Sequence, residues 1–213
     1  ISFFLAKKTK VINLDNLIYR QNNKFSFSKN NNYEFIAYDL RSKNFDSGIL
    51  KDADTLVLLA SLVGDPISNK YKKATKAINI TATKKFIDKS IKLGVKKLIF
   101  VSTCSNYGLI EKNLAAKENY KLNPLSPYAK SKVEIEKYLI KKKSKQLNTK
   151  IFILRFATAF GFSERMRFDL TVNEFIKTIM QKKKLIIYDE NTWRPYCHVK
   201  DFARLIYKIF LSS

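Results

Sequence analysis

The chain is short of the residues that staple, ligate or anchor a protein. Its 213 residues include two cysteines and one histidine. Cys104 and Cys197 are too few for a disulfide framework, and their spacing suits no zinc site. No apolar run approaches the ~20 residues of a membrane-spanning helix, and the opening residues do not read as a secretory leader with its cleavage site. A reduced, cytoplasmic setting is the expectation. Acidic residues are scarce too: 18 Asp and Glu face 41 Lys and Arg, for a formal charge of +23.

Such a charge raises nucleic-acid binding as a function. The excess, however, is almost all lysine, scattered through helical stretches such as Lys141-Lys142-Lys143 and Lys182-Lys183-Lys184. It accompanies abundant Asn, Ile, Phe and Tyr, all with A/T-rich codons, so a biased genome accounts for the set as one fact. No aromatic platform interleaves with the basic residues in a known nucleic-acid motif. An apolar content of 46%, with 16 phenylalanines and 11 tyrosines, supplies a true core, in one sizeable domain with part of a second.

Apolar periodicity and breakers predict an alternation. Residues 1–8 read as the last turns of a helix, 10–15 as a strand, 16–32 as a polar loop and 33–39 as a second strand. Residues 54–60 form a continuous apolar strand, as expected where both sheet faces are covered. A long helix over 71–93 stops at Gly94, and 96–103 is the next strand. Ser126 caps a helix over 127–145, with Pro127 at its first position. A strand at 150–156, a helix at 169–181, strands at 185–188 and 194–198, and a helix at 199–211 complete the series. Strands alternating with helices mean βαβ units and a parallel sheet with helices on both faces. Ligands bind such sheets beyond the carboxyl ends of the strands, where Asp15, Asp39, Ala60-Ser61, Thr103 and Thr158 fall.

One constellation there carries chemistry. Ser102-Thr103 ends a strand, and Ser126-Pro127-Tyr128-Ala129-Lys130-Ser131-Lys132 opens a helix. The spacing of four puts Tyr128 and Lys132 on one helical face. A nearby ammonium favours phenolate, and the Thr103 hydroxyl can hold a substrate oxygen while its proton leaves. Tyr-x-x-x-Lys occurs three times, at Tyr128/Lys132, Tyr138/Lys142 and Tyr196/Lys200. The bland reading of any one copy is an exposed helical face, and it is the strand end and the Asn106-Tyr107-Gly108 turn that single out the first.

With Leu14-Asp15-Asn16-Leu17, Leu59-Ala60-Ser61, Val101 to Gly108, Ser126 to Lys132, Leu154 to Thr158 and Arg194 to Asp201, the chain resembles the extended short-chain dehydrogenase/reductase family, the nucleotide-sugar epimerases and dehydratases. The resemblance implies an α/β Rossmann-type doubly wound parallel sheet, with an NAD-binding domain at 1–160 and the start of a smaller substrate-binding region at 161–213. It implies Tyr128 as acid/base, Lys132 on the nicotinamide ribose, and Thr103 as the hydroxyl partner. Asp15, Asn16, Asp39, Leu40, Ala60, Ser61 and Phe156 would join Lys132 around NAD. Ser105, Thr158, Asn173 and Arg194 would face the substrate, Arg194 on its diphosphate. No metal site is expected. His198, the single histidine, reads as structural. The expected partner is a nucleotide-diphosphate sugar, with no nucleic acid and no membrane span, and a homodimer as the oligomer to consider.

Two departures shape the expectation. No G-x-G-x-x-G stands among the five glycines, and the chain opens without methionine and ends where a substrate domain should continue. Truncation at both ends accounts for the missing loop, the absent methionine and the short end together. Sugar 4,6-dehydratases of the family carry an Asp-Glu pair after the catalytic Thr, where this chain has Cys104 and Ser105. Neither is a carboxylic acid, so the expected reaction is epimerisation, as in UDP-glucose 4-epimerase. A dehydratase, a reductase or dehydrogenase, and a non-enzymatic nucleotide sensor on the same fold are the alternatives.

Overall fold

A computed structural model describes residues 1–19, 27–42, 48–111, 114–143, 148–163, 165–187 and 190–212. In chain order the elements are α1 (Ser2–Leu5), β1 (Val11–Asp15), β2 (Tyr33–Ala37), α2 (Gly48–Lys51), β3 (Thr55–Leu58), α3 (Asp65–Lys70), α4 (Lys72–Thr75), a π-helical segment (Lys76–Ala82) and α5 (Thr83–Lys92). There follow β4 (Lys97–Thr103), a 3₁₀ turn (Cys104–Tyr107), α6 (Pro127–Lys143), β5 (Lys150–Phe156), β6 (Thr158–Phe160), α7 (Thr171–Met180), β7 (Tyr196–His198) and α8 (Val199–Leu211). The chain divides into two compact units, Ile1–Asp39 with Phe156–Ser213, and Leu40–Arg155. Among the described residues no helix is long and apolar enough to cross a membrane.

In the first unit β1 pairs with β2 in parallel, Val11 opposite Tyr33 and Asp15 opposite Ala37. β6 pairs with β7 in the same sense, Thr158 opposite Tyr196. Aromatic packing joins the ends of the sequence: Phe3 and Phe4 set their edges on Tyr207 at 5.6 and 5.1 Å. His198 caps α8, its Nδ1 accepting from the Lys200 backbone N–H at 3.2 Å. Its ring meets Phe160 edge-on, in keeping with a structural role. Gly161 lies beside it at φ +117°, and a Cβ there would stand 2.5 Å from His198 Nε2.

The second unit is a sheet of order β3-β4-β5, with β3 and β4 parallel from Thr55↔Lys97 to Leu58↔Phe100. Leu98, Ile99 and Phe100 are buried in succession, as a strand covered on both faces requires. Ile87, Ile135 and Leu139 fill the core from α5 and α6. Ser126 caps α6 as expected, its Oγ accepting from Ala129 N–H at 3.2 Å. Gly94, at φ +86°, ends α5 with the Val95 N–H returning to the Ser90 carbonyl at 3.2 Å, the wrap-around that a left-handed glycine permits.

Three expectations need correction or trimming. The helix expected over 71–93 runs from Lys72 to Lys92 but passes through the π-helical segment, after a separate short helix, α3. Residues 185–187 form no strand: an apolar quartet becomes a strand only where a neighbour offers its backbone, and periodicity cannot see the neighbour. Tyr188, parts of the 16–32 loop and the residues after Lys143 of the expected helix lie outside the described residues.

Candidate active site

The second unit holds the expected proton-transfer groups. Tyr128 and Lys132 occupy the first two turns of α6. Lys132 is 4% exposed, its Nζ donating to the Val101 carbonyl of β4 at 2.9 Å. The ammonium stands 5.7 Å from the Tyr128 ring centre and 4.8 Å from that of Phe100. Burial pushes Lys132 down to about 8, against an upward pull from the Glu136 carboxylate. A half-buried phenol thus lies beside a cation with little solvent to screen it.

Two residues beyond Val101, Thr103 ends β4 on the same side of the strand. Its Oγ1 accepts from the Ser105 N–H at 3.2 Å and so caps the 3₁₀ turn. Cys104 and Ser105 open that turn, and Gly108 closes it at φ +70°, where a Cβ would stand 2.1 Å from the Asn123 carbonyl oxygen. Ala60 and Ser61 follow β3 in the same unit, which also contains Leu40.

Asn79, absent from the sequence-based set, organises this unit. From the π-helical segment its amide accepts from Leu62 N–H at 2.8 Å and donates to Leu62 carbonyl and Ser131 Oγ at 3.0 and 3.2 Å. Ser131 Oγ donates in turn to the Tyr128 carbonyl at 2.7 Å. The loop bearing Ala60 and Ser61 is thereby tied to the turn bearing Tyr128. Its one sequence signal is a carboxamide between isoleucines, Ile78-Asn79-Ile80, inside a helix.

The first unit gathers the other expected residues. Asp15 is the last residue of β1, and Asp39 follows the adjacent carboxyl end of β2. Asp15 Oδ1 accepts from Leu17 N–H at 2.6 Å, and Asn16 Nδ2 donates to Asp39 Oδ2 at 3.2 Å. Leu17 takes φ +52° to make that turn, strain of the kind stored where a loop must face a ligand. Phe156 stacks on Phe202, centroids 3.9 Å apart and rings 5° from parallel, so one ring face is taken. Thr158 begins β6, its N–H on the Pro195 carbonyl at 3.0 Å. Asn173 spends its amide on backbone, accepting from Gly161 N–H at 3.4 Å and donating to the Arg167 carbonyl at 3.1 Å. Arg194 is exposed.

In the first unit the carboxylate at the end of β1 is of a kind that can accept from a ribose diol, and in the second the Lys132 ammonium is of a kind that can donate to one. No run of this chain supplies the glycine-rich loop for the diphosphate.

Comparison with known proteins gives one consistent result. A family model, "NAD dependent epimerase/dehydratase family", matches residues 1–212. The chain is 31% identical over 197 residues to an uncharacterised UDP-glucose epimerase of Bacillus subtilis (strain 168), covering 92% of this chain and 57% of that protein. It is 29% identical over 213 residues to UDP-glucuronate 4-epimerase of Thermodesulfobacterium geofontis, covering 94% and 64%. The chain thus spans 57–64% of the length of these curated relatives. The crystal structure of UDP-glucuronic acid 4-epimerase from Bacillus cereus with UDP-glucuronic acid and NAD matches with a TM-score of 0.84 at 28% identity, over 100% of this chain and 68% of that one. UDP-N-acetylglucosamine 4-epimerase from Methanobrevibacter ruminantium M1 gives 0.81 at 29% identity, over 92% and 63%. The match spans the whole series of parallel strands and crossover helices, and on it the chain belongs to the NAD-dependent epimerase/dehydratase family.

Proposed function

We propose that this chain is the greater part of an NAD-dependent epimerase of nucleotide-diphosphate sugars. One observation carries the reading: the buried Lys132 ammonium, hung on the Val101 carbonyl at 2.9 Å, stands 5.7 Å from the Tyr128 ring centre. In this reading the Thr103 hydroxyl holds the substrate oxygen, Tyr128 takes its proton, and the charge of Lys132 favours the phenolate that does so. NAD, when bound, would supply reversible uptake and return of a hydride at the sugar carbon. Asp15, Asn16, Asp39, Leu40, Ala60, Ser61, Lys132 and Phe156 are proposed to hold it, and Ser105, Thr158, Asn173 and Arg194 to receive the sugar nucleotide. The division into a cofactor domain at 1–160 and a substrate region at 161–213 belongs to the same proposal. Cys104 and Ser105 offer no carboxylic acid for water elimination. The relatives from Bacillus subtilis, Thermodesulfobacterium geofontis and Bacillus cereus are named as epimerases of UDP-sugars, which makes uridine the first nucleotide to try.

The test is incubation of the full-length protein with UDP-, GDP- and dTDP-sugars, followed by product analysis. The expected product is an epimer, without net NADH formation. A 4-keto-6-deoxy product would assign a dehydratase, and stoichiometric NADH a dehydrogenase. Tyr128→Phe keeps the ring and removes the titrating oxygen, so kcat should fall by roughly two decades or more.

A further inference from the structure

Behind Tyr128 and Lys132 stands a buried cluster that the proposed proton transfer does not use. Glu136 lies one turn beyond Lys132 on α6, on the same helical face, and is 1% exposed. Its Oε1 accepts from Ser102 Oγ at 2.5 Å, Asn106 Nδ2 at 2.7 Å and Arg155 Nε at 3.2 Å. Its Oε2 accepts from Arg155 Nη2 at 2.7 Å and Nε at 3.0 Å. Arg155 is fixed in turn by the Tyr107 hydroxyl at 3.0 Å and the Glu118 carbonyl at 2.8 Å. The carboxylate is therefore held by donors from β4, the 3₁₀ turn and β5 together.

An ion pair built for stability alone needs only its two partners. Here the anion shares a helical face with a buried ammonium whose hydrogen bond goes to a neutral carbonyl. Among the described residues, the Phe100 ring and Val101 carbonyl of β4 and the Tyr128 ring lie against that ammonium, with Glu136 one turn along α6. Arg155 pairs with Glu136 and with the Tyr107 hydroxyl. Of these, Glu136 supplies the negative charge. We propose that Glu136 is a positioning residue for the proton-transfer pair: its clamped carboxylate keeps Lys132 an ammonium beside Tyr128, while Arg155, Ser102 and Asn106 fix where that charge points. The role of the pair itself rests on the epimerase reading.

The test reads Lys132 directly, without turnover. In a chain labelled with [13Cε]lysine, the Lys132 signal is assigned by its loss in Lys132→Arg and followed through the alkaline range. The midpoint expected for the parent is about 8. Glu136→Gln should lower it by about one pH unit, the effect of removing a nearby opposite charge. Because Gln beside Arg155 leaves a buried guanidinium unpaired, a second variant, Glu136→Gln with Arg155→Gln, removes both charges and should also lower the midpoint. Glu136→Asp retains the charge and should keep the parent's value. A midpoint unmoved in both neutral variants would overturn the proposal, as would a double variant that cannot fold, which would assign the cluster to stability alone. In the full-length protein the alkaline limb of kcat with a UDP-sugar should move by the same amount. If no sugar is turned over the epimerase reading fails, while the titration still decides the coupling of Glu136 to Lys132.

Discussion

At the scale of single residues, Asn79 concentrates most structure in one side chain. Three hydrogen bonds to Leu62 and Ser131 leave its buried amide satisfied and the loop after β3 held. Asn79→Ala would strand the Leu62 N–H and carbonyl away from water, at a cost of about 2–3 kcal/mol. Chemical denaturation should read that loss, and a variant within a few tenths of the parent would show that water replaces the amide. The placement of Tyr128, Lys132 and Thr103 and the Ser126 cap were legible in the sequence because each is defined locally, by a helical turn, a strand end or a cap. Asn79 and Glu136 were not, since Asn79 bonds residues 17 and 52 positions away and Glu136 residues 30 and 34 positions away. Spacing alone makes either one an ordinary helix residue.

At the scale of elements, the passage from β4 into the 3₁₀ turn is the most constrained. Gly108 takes φ +70° with the Asn123 carbonyl oxygen 2.1 Å from where a Cβ would be. Gly108→Ala therefore combines left-handed strain with a clash against backbone and should cost well over 1 kcal/mol, read as a lowered melting temperature. Gly94→Ala meets no atom within 4 Å and should cost only about 1 kcal/mol, from backbone strain alone. Measuring the two together separates conformational strain from crowding. The parallel pairing of β3 with β4 was legible from apolar runs joined by a helix-length connection. The failed strand at 185–187 had the same apolar signal without a partner, which a one-dimensional pattern does not contain.

Over the whole molecule the charge is +23, and among the described residues Lys132 is the lysine that is buried. Its folded value of about 8 lies below the ordinary 10.5, so between those values the unfolded chain binds the extra proton. This group's contribution to stability therefore rises with pH through that window and is lost on descending towards 8. The full difference is on the order of 3 kcal/mol. Lys132→Met should remove that slope and should be the more stable chain near pH 7. Denaturant unfolding of parent and variant at neutral and alkaline pH checks this by difference, which cancels the other lysines. Equal pH slopes would show that the ammonium is solvated in the folded state.

The π-helical segment makes length and phase separate properties of one helix. Thr75, Ile78, Asn79, Ala82, Thr83, Phe86, Ile87 and Ser90 are buried in turn, so one face meets the core on both sides of the segment Lys76–Ala82. Removing one residue from Lys76–Ala82 would shorten the rod by only about 1.5 Å, yet would turn everything beyond it by about 100°. The helix can thus tolerate a small error in distance far better than an error in rotation.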